Sequence, residues 1–442
     1  MGERSARTAW RGLFENSGFV RLWLGQAVSQ IGDGLSGLAL LVVVYRLTHT
    51  ASAVAALSIL ISLPQVVLGL HAGVLADRWD RRRVMIASDL ARGALVLGLV
   101  VASARDSLPA MYVLACAQAA AAVLFEPARA ALLPSLVDAE RLLEANSVAN
   151  STRIACGVLG STAAGLLLTL PRGAMIAFGL DAASFMVSAG ALLGIRTERH
   201  APGLHEPQGT DRRSEPGPDA GAPAAMGGLR TATDAAPLAP SGITAELVAG
   251  LRLVFTNPAM TRLLVMFSIT VLGMGAVNVL FVPFLMNELH GSTSIVGLVR
   301  GVQLAGMIGG GLLLGRAGRL PPDAILTLGI LGLGPLLALI GIAPHWTALL
   351  PLIGLVGLCS SAVQSGSMTL IQRTVPARML GRAESALDTV LTVVMLISMA
   401  SAGIAADRVG TRAVFVVAGG LALVAGLSTG VRAGLRPAKL NA

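Results

Sequence analysis

The chain is poor in charge. Asp, Glu, Lys and Arg make up 13% of its 442 residues, against roughly 25% in an ordinary soluble domain. Hydrophobic residues make up 54%. Too little polar surface is left to cover a water-soluble core of this size, so the composition excludes a soluble globule and implies a polytopic membrane protein. Lysine is nearly missing, with Lys439 standing alone. The net charge of +9 therefore rests on arginines in short loops, which is not a nucleic-acid footprint. Cysteine is scarce as well. Cys116, Cys156 and Cys359 are dispersed through apolar runs, which argues against a disulfide framework or a metal site. There is no Gly-x-x-x-x-Gly-Lys-Ser/Thr loop to cradle a nucleotide, no nucleophile elbow and no Cys/His cluster. No enzyme activity, cofactor or metal is expected, and energy must come from an ion gradient, the substrate's own gradient or a partner. Four Trp and two Tyr leave few platforms on which sugars could stack.

What the sequence does have is long apolar runs. At about 20 residues per span, twelve fit between residues 20 and 432. The expected fold is all-α and integral to the membrane. The first run, Phe19 to Tyr45, is too long for a signal-peptide core and reads as an uncleaved spanning helix. Later spans include 108–130, 346–367 and 382–405. With the N-terminus inside, the outside loops hold only Arg46, Arg105, Arg172, Arg408 and Arg412, while Arg92, Arg153 and Arg300 fall within spans. The remaining basic residues lie inside, a bias of about five to one that places both termini in the cytoplasm. The expected location is the plasma (inner) membrane.

Residues 1–19 form a cytoplasmic segment and 20–196 a six-helix lobe. Residues 197–242 are rich in Pro, Gly, Ala and charge and cannot bury enough apolar surface to fold, so they read as a disordered cytoplasmic linker. Residues 243–432 form a second lobe led by an interfacial helix over 243–255, and 433–442 a tail. The lobes are related. At one offset Gly73, Leu75, Arg78 and Arg81 match Gly311, Leu313, Arg316 and Arg319, and Ala164-Gly165 falls on Ala402-Gly403. Two parallel repeats around a central site are the architecture expected of two-lobed secondary transporters.

The charged stretch Gly73-Val-Leu-Ala-Asp77-Arg78-Trp-Asp80-Arg81-Arg82-Arg83 cannot lie in hydrocarbon and marks a membrane face. It resembles the Gly-x-x-x-Asp-Arg/Lys-x-Gly-Arg-Arg/Lys loop between helices 2 and 3 of the major facilitator superfamily, with Asp80 in place of the second glycine. Phe19–Ser29, Glu126–Pro134, Arg141–Ser147 and Leu180–Phe185 are similar to the enterobactin-exporter and macrolide-efflux branch. The resemblance implies a twelve-helix fold of two pseudo-symmetric lobes, and export of amphipathic compounds (multidrug resistance, antibiotics, siderophores) by proton antiport. Two departures weaken the proton inference. Gln118 of the helix-4 antiporter signature is present, but its Arg position is Ala115. In the helix-5 signature Ser161 replaces Pro and Ala164 replaces Gly. An uncoupled uniporter or lipid-type flippase, or a transporter-like sensor without transport of its own, stays open. A small-molecule substrate, protons and the lipid bilayer are the expected partners, nucleic acid is not, and a monomer is expected.

A charge at mid-bilayer costs roughly 2.5–3.5 kcal/mol on insertion scales, so each one needs a partner, a cavity or a role. Asp33, midway along helix 1 between Gly32 and Gly34, is the proton-coupling candidate; the alternative is a structural Asp held by a polar neighbour. Gln30, Asn278, Arg300, Gln303 and Gln364 are substrate-cavity candidates. Arg300 either binds an anionic group, pairs with a carboxylate or snorkels outward. Asp181 reads as a packing residue of helix 6. Asp89, Arg92, Glu126, Arg129 and Arg153 cluster near the cytoplasmic ends of helices 3 to 5. With Gly73, Asp77, Arg78, Arg81 and Arg82 they form either a gate or a static anchor. Asp89/Arg92 and Glu126/Arg129 are spaced to meet on one helix face. By resemblance Asp77 faces the start of helix 11, near Arg382 and Asp388. The copy of the loop in the second lobe has Gly315 and Gly318 where the first has Asp77 and Asp80, so the acidic member is peculiar to the first.

Overall fold

Asn16 opens the first helix. Its side-chain oxygen accepts hydrogen bonds from the Gly18 and Phe19 N–H groups at 2.9 and 3.0 Å, satisfying donors that the helix itself leaves free. Asp80 does the same for the third helix through the Arg83 N–H at 3.0 Å. In the computed structural model, which describes residues 13–138, 141–195, 252, 254–316, 320–375 and 380–430, these caps launch a bundle of long helices. They are α1 (Ser17–Thr48), α2 (Ala51–Arg78), α3 (Arg81–Ala104), α4 (Leu108–Val123, continued by a short helix Phe125–Leu132), α5 (Leu142–Leu167) and α6 (Gly173–Leu193), then α7 (Pro258–Pro283), α8 (Thr293–Arg316), α9 (Pro322–Gly341), α10 (Trp346–Thr374), α11 (Leu380–Val409) and α12 (Thr411–Gly430). The linker 197–242, most of the expected interfacial helix, and the side chains of Gly73, Asp77, Arg78 and Arg382 lie outside the described residues.

Among the described residues, ten helices are long and apolar enough to cross a membrane. The two that fall short, α5 and α12, do so for different reasons. The first half of α5 carries Glu144, Asn146, Asn150 and Arg153. The apolar part of α12 is merely brief, Thr411–Leu427. Both pack as full members of the bundle. Several ends differ from those expected. The fourth span breaks at Leu124, α10 runs on to Thr374, α11 to Val409, and α7 ends in a wide turn over Phe284–Glu288.

The two halves repeat one packing scheme. In the first, α1 packs on α5 and α6, α2 on α4, and α3 on α4 and α6. In the second, α7 packs on α11 and α12, α8 on α10, and α9 on α10 and α12. The chain is therefore two six-helix lobes of the same build. They meet through α2 against α11 and α5 against α8. We call the end where α1 starts and α12 finishes proximal, and the opposite end distal. The tight seam between lobes is distal. A Cβ placed on Gly165 of α5 would lie 2.7 Å from the Gly297 Cα of α8, and one on Gly403 of α11 would lie 2.5 Å from the Ala55 Cβ of α2. Only glycine admits backbones this close.

Candidate functional site

Asp33 and Arg92 meet in the middle of the first lobe. Asp33 is seventeenth of the 32 residues of α1, and Arg92 twelfth of the 24 of α3. Arg92 Nη2 donates to Asp33 Oδ1 at 2.5 Å. The α3 stripe Asp89, Arg92, Val96 and Leu99 is buried at helical spacing, which turns the guanidinium inward. It lies over the Phe185 ring of α6, 4.2 Å from its centre, a cation–π contact that offsets part of its lost hydration. The Arg92 Nε is buried without a partner.

Two further carboxyl groups surround the pair. Asp181 of α6 is fully buried; the Ser36 hydroxyl of α1 donates to one of its oxygens and Ser184 lies at 3.4 Å from the other. It sits against Gly32, where even a methyl group would collide with the Asp181 and Ser184 side chains. Asp89 is also 0% exposed. Ser188 faces it, yet no hydrogen bond of good geometry reaches either carboxylate oxygen. Three acids thus lie around one guanidinium midway along the helices, and Asp33 is the one paired with it. The structure puts Asp89 and Arg92 in this cluster, at the ninth and twelfth residues of α3, rather than at the helix ends, and Asp181 joins α6 to α1 through Ser36. The missed signal is the polar stripe Asp181, Ser184 and Ser188 on one face of an otherwise apolar helix.

The pair is not sealed. The Asp33 side chain keeps 25% of its exposure and, with Arg92, borders a cavity of about 360 Å³ between α1, α2, α3 and α4. Ser36, Gln65, Gln118 and Glu126 supply the other polar groups of its wall, and Ile61, Leu40 and Leu99 apolar ones. Ala115 is also in the wall.

The remaining candidates are scattered. Arg300 of α8 stacks on Phe281, 4.7 Å from the ring centre, and lies 3.5 Å from Gln303 Oε1. Asn278 turns back to the Met274 carbonyl at 3.3 Å. Gln30 is half-buried, and Gln364 and Asp388 are exposed. Glu126 and Arg129 pair on their own short helix at 2.7 Å, as their spacing suggests, and Arg153 bonds Asn150 of its own helix at 2.9 Å. The loop arginines instead cap helix ends. Arg81 donates to the Ala131 carbonyl at 2.8 Å, and Arg82 to the Leu192 and Leu193 carbonyls at 2.8 and 2.5 Å. Cations at the negative ends of helices are favourable.

The comparisons with known proteins agree with this geometry. The sequence profile of the Major Facilitator Superfamily matches residues 22–280 and 263–440. The chain is 24% identical over 409 residues to macrolide efflux protein A of Streptococcus pyogenes, covering 91% of this chain and 93% of that one. It is 26% identical over 371 residues to the enterobactin exporter EntS of Escherichia coli, covering 82% and 79%. In fold it is similar to a bacterial homologue of the human lysosomal transporter Spinster, with a TM-score of 0.67 at 13% identity over 93% of this chain and 96% of that one. A profile matched along nearly the whole chain, two lobes of six helices with one packing scheme, and a partly apolar cavity lead to one assignment: the chain belongs to the major facilitator superfamily, a family of multi-pass membrane transporters.

Proposed function

We propose that this chain is a secondary active exporter of amphipathic small molecules, such as a drug, an antibiotic or a siderophore, that works by alternating access and exchanges protons at Asp33. The observation that carries the reading is the Asp33–Arg92 pair on the wall of a partly apolar cavity at membrane depth. The names of the macrolide-efflux and enterobactin-exporting relatives support the substrate class. The arginine bias puts the proximal end and both termini in the cytoplasm, so the distal glycine seam closes the outer side. Residues 20–196 and 243–432 are then the lobes that rock about the central site, joined by 197–242.

Buried charge without a counter-charge is costly in a low-dielectric interior, so a proton gained or lost at the Asp33–Arg92 pair would change the charge balance of the whole cluster. A proton reaching Asp33 through the cavity neutralises it and frees Arg92. Asp89, one turn earlier on the same helix and faced by Ser188, is the acceptor to which the freed guanidinium turns. Loss of the proton to the other side restores the Asp33 pair. Arg92, on α3 in the wall of the cavity that Ala115 also lines, supplies the cation that the helix-4 signature would otherwise place on α4.

Purified protein in proteoliposomes with an imposed pH gradient tests this. Movement of a fluorescent amphipathic dye is expected to follow the gradient, and Asp33→Asn to abolish that dependence while the protein still inserts. Dye movement indifferent to the gradient would instead support an uncoupled uniporter or flippase, the reading favoured by Ala115 and Ser161. No movement with any amphipathic dye would support a sensor.

A further inference from the structure

The N-terminus of α2 is capped by the other lobe. Thr50 occupies the capping position but its side chain makes no capping hydrogen bond. The carboxylate of Asp407, in the last turn of α11, takes that role. One of its oxygens accepts from the Ala51 N–H at 2.7 Å and the other from the Ser52 N–H at 3.1 Å. A carboxylate at a helix N-terminus satisfies orphan donors and meets the positive end of the dipole.

Asp407 is held firmly on its own side. Gly410 ends α11 with φ +87°, a conformation natural to glycine. The next two residues then grip the end of α7: Thr411 donates to Glu288 at 3.0 Å and Arg412 at 3.2 Å. Arg412 also donates to the Ala343 carbonyl beyond α9 at 2.9 Å. One turn before Asp407, Gly403 lies against Ala55 and Ser52 of α2. The carboxylate therefore moves with the second lobe and the N–H groups with the first. The lobes cannot part at the distal end without breaking both bonds.

The sequence carries a second sign of this. Gly403-Ile-Ala-Ala406-Asp407-Arg408-Val-Gly410-Thr-Arg412 repeats Gly73-Val-Leu-Ala76-Asp77-Arg78-Trp-Asp80-Arg-Arg82 with identity at Gly, Ala, Asp, Arg and the final Arg. The register is not that of the lobe repeat. It relates the C-terminal turn of α2 to that of α11, two helices that run antiparallel against each other.

We propose that Asp407 is the distal latch of the transport cycle, a positioning residue whose hold on the N-terminus of α2 keeps the lobes together on that side and must be broken at each distal opening. The latch stands apart from the proton reading, since neither substrate nor ion enters it.

Double electron–electron resonance on the full chain in nanodiscs tests it. Spin labels go on Arg105→Cys and Ile342→Cys, exposed positions at the distal ends of the two lobes, after Cys116, Cys156 and Cys359 are replaced by Ser. Asp407→Ala is expected to raise the ratio of long to short label distances about tenfold, in keeping with the loss of two charge-assisted hydrogen bonds. Asp407→Asn, nearly the same shape, is expected to shift it in the same direction, and Asp407→Glu to recover part of the short distance. A distance distribution unchanged in both Asp407→Asn and Asp407→Ala would overturn the latch. So would a lower melting temperature with no change in distance, which is the mark of a residue that only anchors.

Discussion

The Arg92 guanidinium of α3 donates a 2.5 Å hydrogen bond to the Asp33 carboxylate of α1, midway through both helices. The pair is asymmetric in its access to water. Arg92 is 10% exposed at its side chain and Asp33 25%, so the carboxylate faces the cavity and the cation stands behind it.

Removing one partner of a buried ion pair leaves an uncompensated charge and costs about 3–5 kcal/mol. Arg92→Gln alone is expected to lower thermal stability in detergent by an amount in that range. Asp33→Asn combined with Arg92→Gln removes both charges and is expected to regain most of the loss. The double variant should still show no response to a pH gradient in proteoliposomes. Full recovery of gradient-driven dye movement would remove the pair from the mechanism.

Ala115 offers a test of where the cation belongs. It is 2% exposed and shares the cavity wall with Arg92. Ala115→Arg puts a second guanidinium on the wall of the same cavity, where like charges repel. Transport is expected to fall at least tenfold. Adding Arg92→Ala to it is expected to restore part of the activity, as the cation is then supplied from α4. If the double variant is as inactive as Ala115→Arg, the two positions are not interchangeable.

Asp89 is the proposed second seat for Arg92. Asp89→Asn keeps the shape and removes the charge, and Asp89 makes no hydrogen bond of good geometry to lose. Its yield and melting temperature should match the parent or exceed it. Its transport rate at saturating dye should drop several-fold, because the freed guanidinium has no acceptor. An unchanged rate means Arg92 does not move.

Gly165 sets the contact of α5 with α8. Any side chain there meets Gly297 and the Thr293 carbonyl at 2.7 Å. Gly165→Leu is expected to force the distal ends apart, so that a cysteine at Thr162, which faces Gly297 and Gly301, becomes reactive to a membrane-impermeant maleimide added from the distal side. Labelling no faster than in the Gly165 parent would place the hinge of closure elsewhere.

Arg82 caps the end of α6 with two hydrogen bonds to carbonyls. Arg82→Gln is expected to cost about 1 kcal/mol, less than is usual for charged donors because the guanidinium is partly solvated. Melting temperature should fall slightly while transport per folded molecule stays the same. A large loss of transport at normal stability would return this arginine to a gating role.

Composition and period by themselves decide the class of this protein. Apolar runs of spanning length can satisfy their backbone only as helices, so Phe19–Tyr45 has to be one. The match of Gly73 with Gly311 and of Ala164-Gly165 with Ala402-Gly403 makes two lobes of one build legible, because a repeat in sequence is a repeat in packing. The loop Gly73–Arg83 carries the family. Which charges meet is decided only in the folded bundle. Asp33, Arg92, Asp89 and Asp181 sit on three helices, and neighbours across a bundle are set by helix rotation and crossing. A linear period reads each face alone and leaves the pairing of faces open. The spacing of Asp89 and Arg92 suggests a pair on one helix face; tertiary packing gives Arg92 to α1. The same limit hides Asp407, which in the linear chain is one more neighbour of an outer-loop arginine. Only α11 lying antiparallel along α2 brings its carboxylate to N–H groups some 356 residues earlier in the chain.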